Sequence, residues 1–316
     1  MKNLPLRVLR VTPNSSVVNI LPLLFFFVML FGCKSQPELA VLESGLMPLD
    51  KGASAYILID VAKARPILEK ISYIPMTDKN MKQMIDKTRS AVVAVFTPSS
   101  SETRRFQLVS WGSYPSGTSI AFGANKNWNK QQSAFLNLAY WHSEKSQMSV
   151  AVSPSRAYVL AAMTKDPHDP VPAPEGIKIP DGFGEFAAGS VFSCWLSNPR
   201  SVFNQKLREA GIPLEIPTEQ FFVRLFPADN HKYEAHVKIV VPSASQARGV
   251  VNVISLARAF MPSVQLNDKG SAQNSAAALA SILFANPVVQ EGNSLLIKTL
   301  PLGVDEISLL FSMFSL

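Results

Sequence analysis

The order of secondary-structure elements predicted from the sequence occurs twice along the chain, on either side of a proline-rich segment. In each copy, apolar patterning predicts a strand, a helix, a strand, a turn and a strand. The first copy has strands at 54–61, 91–97 and 105–111, with helices at 62–71 and 78–88. The second copy has a strand at 189–196, a helix at 200–210, and strands beginning at Phe221 and Lys232. The repetition predicts an internal duplication.

This organisation predicts an α+β fold with two related halves of antiparallel strands and packed amphipathic helices. The halves could form two similar sheets, or one sheet built from both with helices on a face. Aligning the copies places Phe221 at the position of Val92 and Lys232 at that of Arg105. Residues 112–129, rich in Gly, Ser and Asn, predict a long hairpin with a loop. The predicted units are a signal peptide at 1–32, an acylated tether at 33–52, a first half at 53–165, a linker at 166–182 and a second half at 183–316.

The N-terminal segment has the pattern of a lipoprotein signal peptide. Three cationic residues and no acidic one precede an apolar run at 20–31, and Gly32 and Cys33 follow it. The run is about a dozen residues, whereas a membrane-spanning helix needs roughly twenty. Leu30-Phe31-Gly32-Cys33 resembles a bacterial lipobox, which predicts cleavage before Cys33 and acylation of its thiol with chains such as palmitate. The alternative is an ordinary secretory signal in which Cys33 is incidental.

Charge and composition narrow the class of protein. Without residues 1–32 the chain has 27 Lys and Arg (30 minus 3) against 23 Asp and Glu, a net charge of +4. This mild basicity favours an anionic lipid surface and falls short of what nucleic-acid binding requires. With 17% charged and 47% hydrophobic residues, the chain is predicted to fold around a core.

Three segments near the C-terminus predict amphipathic, charge-poor helices. In the helix at 245–261, Val250, Val251 and Ile254 share one side, and the polar edge containing Arg248 is narrow. The segment 275–285 is uncharged, and 304–316 carries no charge after Glu306. A wide apolar face with a thin basic edge is typical of a helix lying in a membrane interface. The predicted membrane-interacting residues are Val250, Val251, Ile254, Ile282, Phe284, Ile307, Leu310, Phe311 and Phe314.

The alternative for these helices is that their apolar faces cover the sheet as ordinary core. Both interpretations hold if the faces pack inward in solution and swing outward at a membrane.

Catalytic and metal-binding patterns are missing from the sequence. The four histidines are scattered, so neither a metal nor a catalytic residue is predicted, and the only non-protein groups expected are acyl chains on Cys33. Residues 182–187 match a dinucleotide fingerprint but follow a proline-rich segment and precede a strand, the wrong context for that site. Cys194 lies in an apolar run and is predicted to be a small buried hydrophobe. The chain is therefore predicted not to be an enzyme.

Six aromatic residues of the first half could line a groove for a glycan or lipid, or form the core of that half. They are Trp111, Tyr114, Phe122, Trp128, Tyr140 and Trp141.

The lipobox, the opening AYILIDVAKARPIL, the duplicated body and the charge-poor helices together resemble the treponemal outer-membrane-associated lipoproteins. The resemblance implies a protein anchored through Cys33 to the periplasmic leaflet of the outer membrane, where amphipathic helices insert into lipid and perturb the bilayer. Among individual residues it carries over Cys33 alone.

The leading hypothesis is therefore a lipid-anchored envelope protein of spirochaete type whose partners are membrane lipids. The competing hypothesis is a non-enzymatic binding module that holds a lipid, glycan or envelope protein in a groove between the halves. The sequence predicts no oligomeric state.

Overall fold

The computed structural model describes most of the chain beyond the tether. The described residues are 49–50, 52–70, 86–96, 105–115, 117–123, 126–134, 137–145, 147–155, 157–163, 166–167, 177–209, 215–229, 231–260 and 285–307.

These residues form strands and helices in the following order. The strands are β1 (Ala55–Asp60), β2 (Thr88–Phe96), β3 (Arg105–Gly112), β4 (Asn129–Gln132), β5 (Ala139–Ser143), β6 (Met148–Val152), β7 (Tyr158–Ala162), β8 (Phe192–Leu196), β9 (Gln220–Pro227), β10 (Tyr233–Val240), β11 (Val289–Glu291) and β12 (Ser294–Lys298). The helices are α1 (Val61–Leu68), α2 (Thr118–Gly123), α3 (Phe183–Ala187), α4 (Pro199–Glu209) and α5 (Ala244–Phe260).

All twelve strands belong to one sheet, in the order β11-β12-β10-β9-β8-β1-β2-β3-β7-β6-β5-β4. Every pair of neighbours is antiparallel. The predicted α+β class with antiparallel strands is therefore confirmed, in the form of one sheet rather than two.

Strand β1 lies at the centre of the sheet, between β2 and β8. Its sequence AYILID is rich in the β-branched and aromatic residues that suit a strand with neighbours on both sides. Asp60 ends the strand and caps α1, because its side chain accepts a hydrogen bond from the Lys63 N–H at 3.1 Å.

The two halves contribute strands in matching order. Outward from the central β1/β8 pair, one side runs β1, β2, β3, β7 and the other β8, β9, β10, β12. In each half the first strand leads into a helix, α1 or α4. The predicted alignment of Val92 with Phe221 is wrong by one residue, because Val92 shares a core cluster with Phe222 while Phe221 faces the other way. A one-residue shift reverses the face of every side chain in a strand.

The sheet is covered on both faces. Helices α1 and α5 lie on one face, called here the α5 face, whose core includes Ala64 and Ile67 of α1 and Leu295 under α5. The opposite face, called the α3 face, carries α3, whose Phe183 packs between Trp195 and Phe222 at ring-centroid distances of 4.7 and 5.3 Å. Burial of these apolar residues is the main stabilising contribution.

Two element predictions need correction. Residues 112–129 contain helix α2 as well as the end of β3, because Phe122 anchors this segment in the core against Trp128 and Trp141. The helix predicted at 78–88 falls mostly outside the described residues; 86–87 are helical, and Thr88 already begins β2.

Candidate functional site

Helix α5 holds three of the predicted membrane-interacting residues, and they face the sheet. Val250 is buried, and Val251 and Ile254 are partly buried against the cluster that contains Ile239 and Leu295. Their spacing over one turn places them on the same side as Ala247, which has no exposed surface. In this arrangement the three residues are core, and their contact with lipid stays a prediction that requires α5 to leave the sheet.

Ile307 is also buried, at 1% exposure, in the cluster with Tyr233 and Leu302. Ile307 belongs to a short helical turn at 304–307. The Glu306 carboxylate caps the N-terminal end of this turn by accepting a hydrogen bond from the Gly303 N–H at 2.6 Å. The other predicted lipid-contacting or acylated residues lie outside the described residues: Cys33, Ile282, Phe284, Leu310, Phe311 and Phe314.

The outward side of α5 carries two exposed apolar side chains among polar ones, which the sequence pattern alone did not single out. Val253 is 40% exposed and Leu256 61% exposed. Three residues apart, they share the side of the helix opposite Ala247. Exposed Arg248 and Asn252 lie beside them. The helix therefore presents apolar side chains to solvent while its other side packs on the sheet.

Five of the six aromatic residues of the first half are buried: Tyr114, Phe122, Trp128, Tyr140 and Trp141. Trp111, on the opposite face from Trp141, is partly buried against a second core cluster and lies beside Tyr158 at a centroid distance of 4.8 Å. The arrangement agrees with the core interpretation of these aromatic residues.

Cys194 and the three described histidines do not assemble into a reactive centre. Burial raises the pKa of the Cys194 thiol to about 12, so the thiol stays protonated at neutral pH. His142 is buried and its Nδ1 lies 2.9 Å from Ser149 Oγ. Within the part of the chain that the structure describes, no group of three His, Cys, Asp or Glu residues could hold a metal ion.

A charged cluster lies on the α3 face of β9 and β10. The Arg224 guanidinium stacks on two rings, 4.8 Å from the Phe186 centroid and 5.3 Å from the Phe226 centroid. Its Nη1 donates to the Phe186 carbonyl at 2.7 Å and its Nε donates to His236 Nδ1 at 3.1 Å. The arginine therefore joins α3 to the sheet.

His236 is held in one tautomer by these partners. Arginine can only donate, so Nδ1 of His236 accepts and its Nε2–H donates to the Glu234 carboxylate at 3.0 Å. Burial lowers the pKa of His236, and the hydrogen bond to Glu234 opposes that shift. The imidazole is therefore neutral at neutral pH.

A cleft of about 240 Å³ opens beside this cluster, between α3 and the last strands of the sheet. Its lining residues are Gly182, Glu185, Phe186, Arg224, Lys238, Glu291, Ser294 and Leu296. Periodicity and motifs did not point to these residues, although Arg224 and Lys238 each interrupt an apolar strand, and a charge within such a strand indicates a possible functional position.

A larger hollow of about 460 Å³ lies at the turn between β9 and β10, lined by Asp229 and Lys232 among others. These turn residues are solvent-exposed, so the hollow is shallow surface beside the hairpin.

Among the described residues, no helix has the length and hydropathy needed to cross a bilayer.

Comparison with known proteins gives one family and one fold. Residues 43–168 match the family model described as outer membrane-associated lipoprotein TP0453. Crystal form III of TP0453 has a TM-score of 0.55 at 16% identity, covering 86% of this chain and 97% of that one. Crystal form IV has a TM-score of 0.57 at the same identity, covering 86% and 96%. No curated protein sequence matches this chain.

The structural likeness extends the common fold over both halves of the sheet, beyond the region matched by the family model. The resemblance predicted from the sequence is confirmed: residues 43–168 match the family of the outer membrane-associated lipoprotein TP0453, and solved structures of TP0453 share the fold.

Proposed function

We propose that this protein is a lipid-anchored envelope protein that associates with the outer-membrane bilayer and perturbs it through amphipathic helices. Acyl chains on Cys33 would hold it at the membrane, and its partners would be lipids rather than nucleic acid. It would act without catalysis, metal or cofactor. The description of its family as outer membrane-associated supports this location, and the periplasmic leaflet is the surface a secreted, anchored chain meets.

The observation that carries this proposal is the outward side of α5. Val253 and Leu256 are exposed one helical turn apart, at 40% and 61%. Complete transfer of such side chains out of water contributes roughly 1.5–3 kcal/mol each. Arg248 of the same helix is also exposed, and a cationic side chain at the edge of an interfacial helix meets headgroup phosphates.

Deeper insertion would use the inward side of the same helix. Helix α5 packs on β12 and β11, at one edge of the sheet. Its release would expose Val250, Val251 and Ile254 without separating any pair of strands, and the bilayer would compensate their lost burial. Ile282, Phe284, Ile307, Leu310, Phe311 and Phe314 would add to the inserted surface.

We also infer that the two halves arose by internal duplication. The matching strand order on the two sides of the β1/β8 pair supports this origin, as does the helix that follows the first strand in each half. In this interpretation α5 and β11, between β10 and β12, occupy the place that α2 and β4–β6 have between β3 and β7 in the first copy.

Vesicle flotation of the mature chain without acyl groups tests the proposal. Cys33→Ser removes the anchor, so flotation then reports contacts made by the folded chain itself. We expect the protein to float with vesicles containing anionic lipid, and to cause dye release at higher protein-to-lipid ratios. Substituting both Val253→Asp and Leu256→Asp should abolish flotation, because two buried carboxylates would oppose insertion.

The matched control is Leu300→Asp, which adds a charge at another leucine that is 54% exposed but lies outside α5. This variant should float like the parent protein. Failure of the parent protein to float with any lipid mixture would overturn the proposal, as would unchanged flotation of the α5 double variant.

A further inference from the structure

The charged residues of the second half converge on the α3 face through the register of three strands. Arg224 on β9 lies directly opposite His236 on β10, and Lys238 is the next residue of β10 on the same face. Lys238 pairs with Leu296 of β12, and Glu291 of β11 pairs with Ser294. Paired residues share a face, so these side chains line one side of the sheet beneath α3.

Arg224 carries a charge that its immediate surroundings do not neutralise. Its partners are a backbone carbonyl, a neutral imidazole and two phenyl rings. Partial burial lowers the pKa of Arg224, because desolvation disfavours its charged form. Among the described residues no carboxylate lies within ion-pair distance of it. A desolvated guanidinium that retains free N–H donors is suited to binding an anion.

The other charged groups of the cleft also lack partners. Within the described residues Lys238, Glu185 and Glu291 make no ion pair, although each lines the same cleft as Arg224. The lining therefore has two cationic and two anionic side chains and no net charge. A simple anion would satisfy the first pair and be repelled by the second.

The volume of the cleft limits the size of its ligand. At about 240 Å³ it is smaller than the range of roughly 300–1,000 Å³ typical of pockets for drug-sized molecules. Phe186 and Leu296 supply a limited apolar wall, too small to enclose an acyl chain. The site is of a size for a compact polar group.

We propose that this cleft binds a small zwitterion that has a phosphate group and an ammonium group separated by a few atoms. The phosphate would accept hydrogen bonds from Arg224 and Lys238, and the ammonium would lie toward Glu185 and Glu291. A phospholipid headgroup and a free phosphoamine share this chemistry. The inference goes beyond the proposed function, because it concerns a polar ligand site on the face of the sheet opposite α5.

Calorimetric titration of the mature Cys33→Ser chain tests the site, with phosphoethanolamine, inorganic phosphate and ethanolamine as separate probes. Phosphoethanolamine should bind at least about ten-fold more tightly than either half alone. Lys238→Gln should weaken that binding by about ten-fold or more, since it removes a charged hydrogen bond. Lys238 is partly exposed, and an unchanged melting temperature would show that the variant is folded.

Lys298→Gln is the matched control. Lys298 lies on the same face, opposite His236, but does not line the cleft. Its substitution should leave the affinity for phosphoethanolamine unchanged. An equal loss of affinity in both variants would mean that the general charge of this face attracts phosphoethanolamine, and it would overturn the proposed site. Equal affinity for phosphate and phosphoethanolamine, or no binding of any probe at millimolar concentration, would also overturn it.

Flotation with phosphatidylethanolamine vesicles distinguishes the two sources of the ligand. If the site takes a lipid headgroup, soluble phosphoethanolamine should release the protein from these vesicles. If it takes a free zwitterion, calorimetric binding should persist while flotation is unaffected. Either result supports the site. The α5 variants should retain phosphoethanolamine binding, so failure of the membrane proposal and failure of this one are separable.

Discussion

The same three strands, β9, β10 and β12, carry opposite chemistry on their two faces. On the α5 face, Ile239 and Leu295 are almost completely buried beneath a helix. On the α3 face, the same strands present Arg224, His236 and Lys238, with a cleft beside them. Since successive residues point to opposite faces, one short stretch of β10 supplies both surfaces.

The difference between the two faces indicates that one contributes mainly to stability and the other carries polar groups suited to binding. The α5 face is stabilised by apolar burial and holds a helix that also exposes two apolar side chains to solvent. The α3 face keeps charged groups at a cost in desolvation, and stability alone does not require them. We therefore expect the largest stability effects on the α5 face, and smaller, pH-dependent effects on the α3 face.

The largest effect is expected from the core beneath α5. Leu295→Ala should reduce the free energy of unfolding by about 2–5 kcal/mol, because Leu295 has no exposed surface and its truncation leaves a cavity. Leu300→Ala, at a leucine that is 54% exposed, should change it by less than about 0.5 kcal/mol. Chemical denaturation measures both. Similar losses in the two variants would contradict the account of this core.

Removal of Arg224 from the α3 face should reduce the free energy of unfolding by a smaller amount. Arg224→Leu leaves the Phe186 carbonyl and His236 Nδ1 without their donor, at a cost of about 1–3 kcal/mol. Arg248→Leu, at an exposed arginine of α5, should stay within about 0.5 kcal/mol of the parent protein. Denaturant midpoints give the comparison. If Arg224→Leu leaves the free energy of unfolding unchanged, the arginine does not hold α3 to the sheet.

Stability should depend on pH through His236. Its pKa is lowered in the folded chain from the ordinary value of 6.5, so below pH 6.5 the unfolded chain binds the proton more readily and stability falls as pH decreases. The loss stops growing below the folded pKa. His236→Asn keeps an acceptor near Nδ1 and removes the titration. The melting temperatures at pH 7.5 and 5.0 should differ less in this variant than in the parent protein. An identical difference in both proteins would show that His236 is not the source of the pH dependence.

The smallest effect is expected at a surface ion pair of the first half. Arg65 Nη2 lies 2.6 Å from Asp86 Oδ1, with side chains 41% and 36% exposed. Asp86→Asn should therefore cost less than about 1 kcal/mol, and the cost should shrink further at high salt. Denaturation at two ionic strengths measures it. A cost above 2 kcal/mol would mean that this pair is not an ordinary surface pair.

Local pattern predicted the central strands and helices α1, α4 and α5, because each of these elements has its own periodicity. The predicted helix at 245–261 corresponds to α5, and that at 200–210 to α4. Strands β11 and β12 were missed, although Gly292-Asn293 between two apolar runs is a hairpin turn signal and Gly292 has φ of +62°.

The site could not be predicted in the same way, because its residues meet only through the fold. Phe186 and Arg224 come from different elements, and the partner of each is fixed by strand register and by the packing of α3. Likewise, the apolar pattern of α5 does not say which side faces the sheet. Val250 and Leu256 are both apolar, and only the position of the helix buries one and exposes the other.

The most direct test of the membrane account is to find which side of α5 meets lipid. An environment-sensitive fluorophore would be attached to Leu256→Cys or to Val250→Cys, each in a chain with Cys33→Ser and Cys194→Ala. We predict that vesicles with anionic lipid shift the emission of the Leu256 label to shorter wavelength at low protein-to-lipid ratio, while the Val250 label responds only under conditions that cause leakage. If vesicles leave the Leu256 label in water under every condition, helix α5 does not contact the bilayer and the account is contradicted.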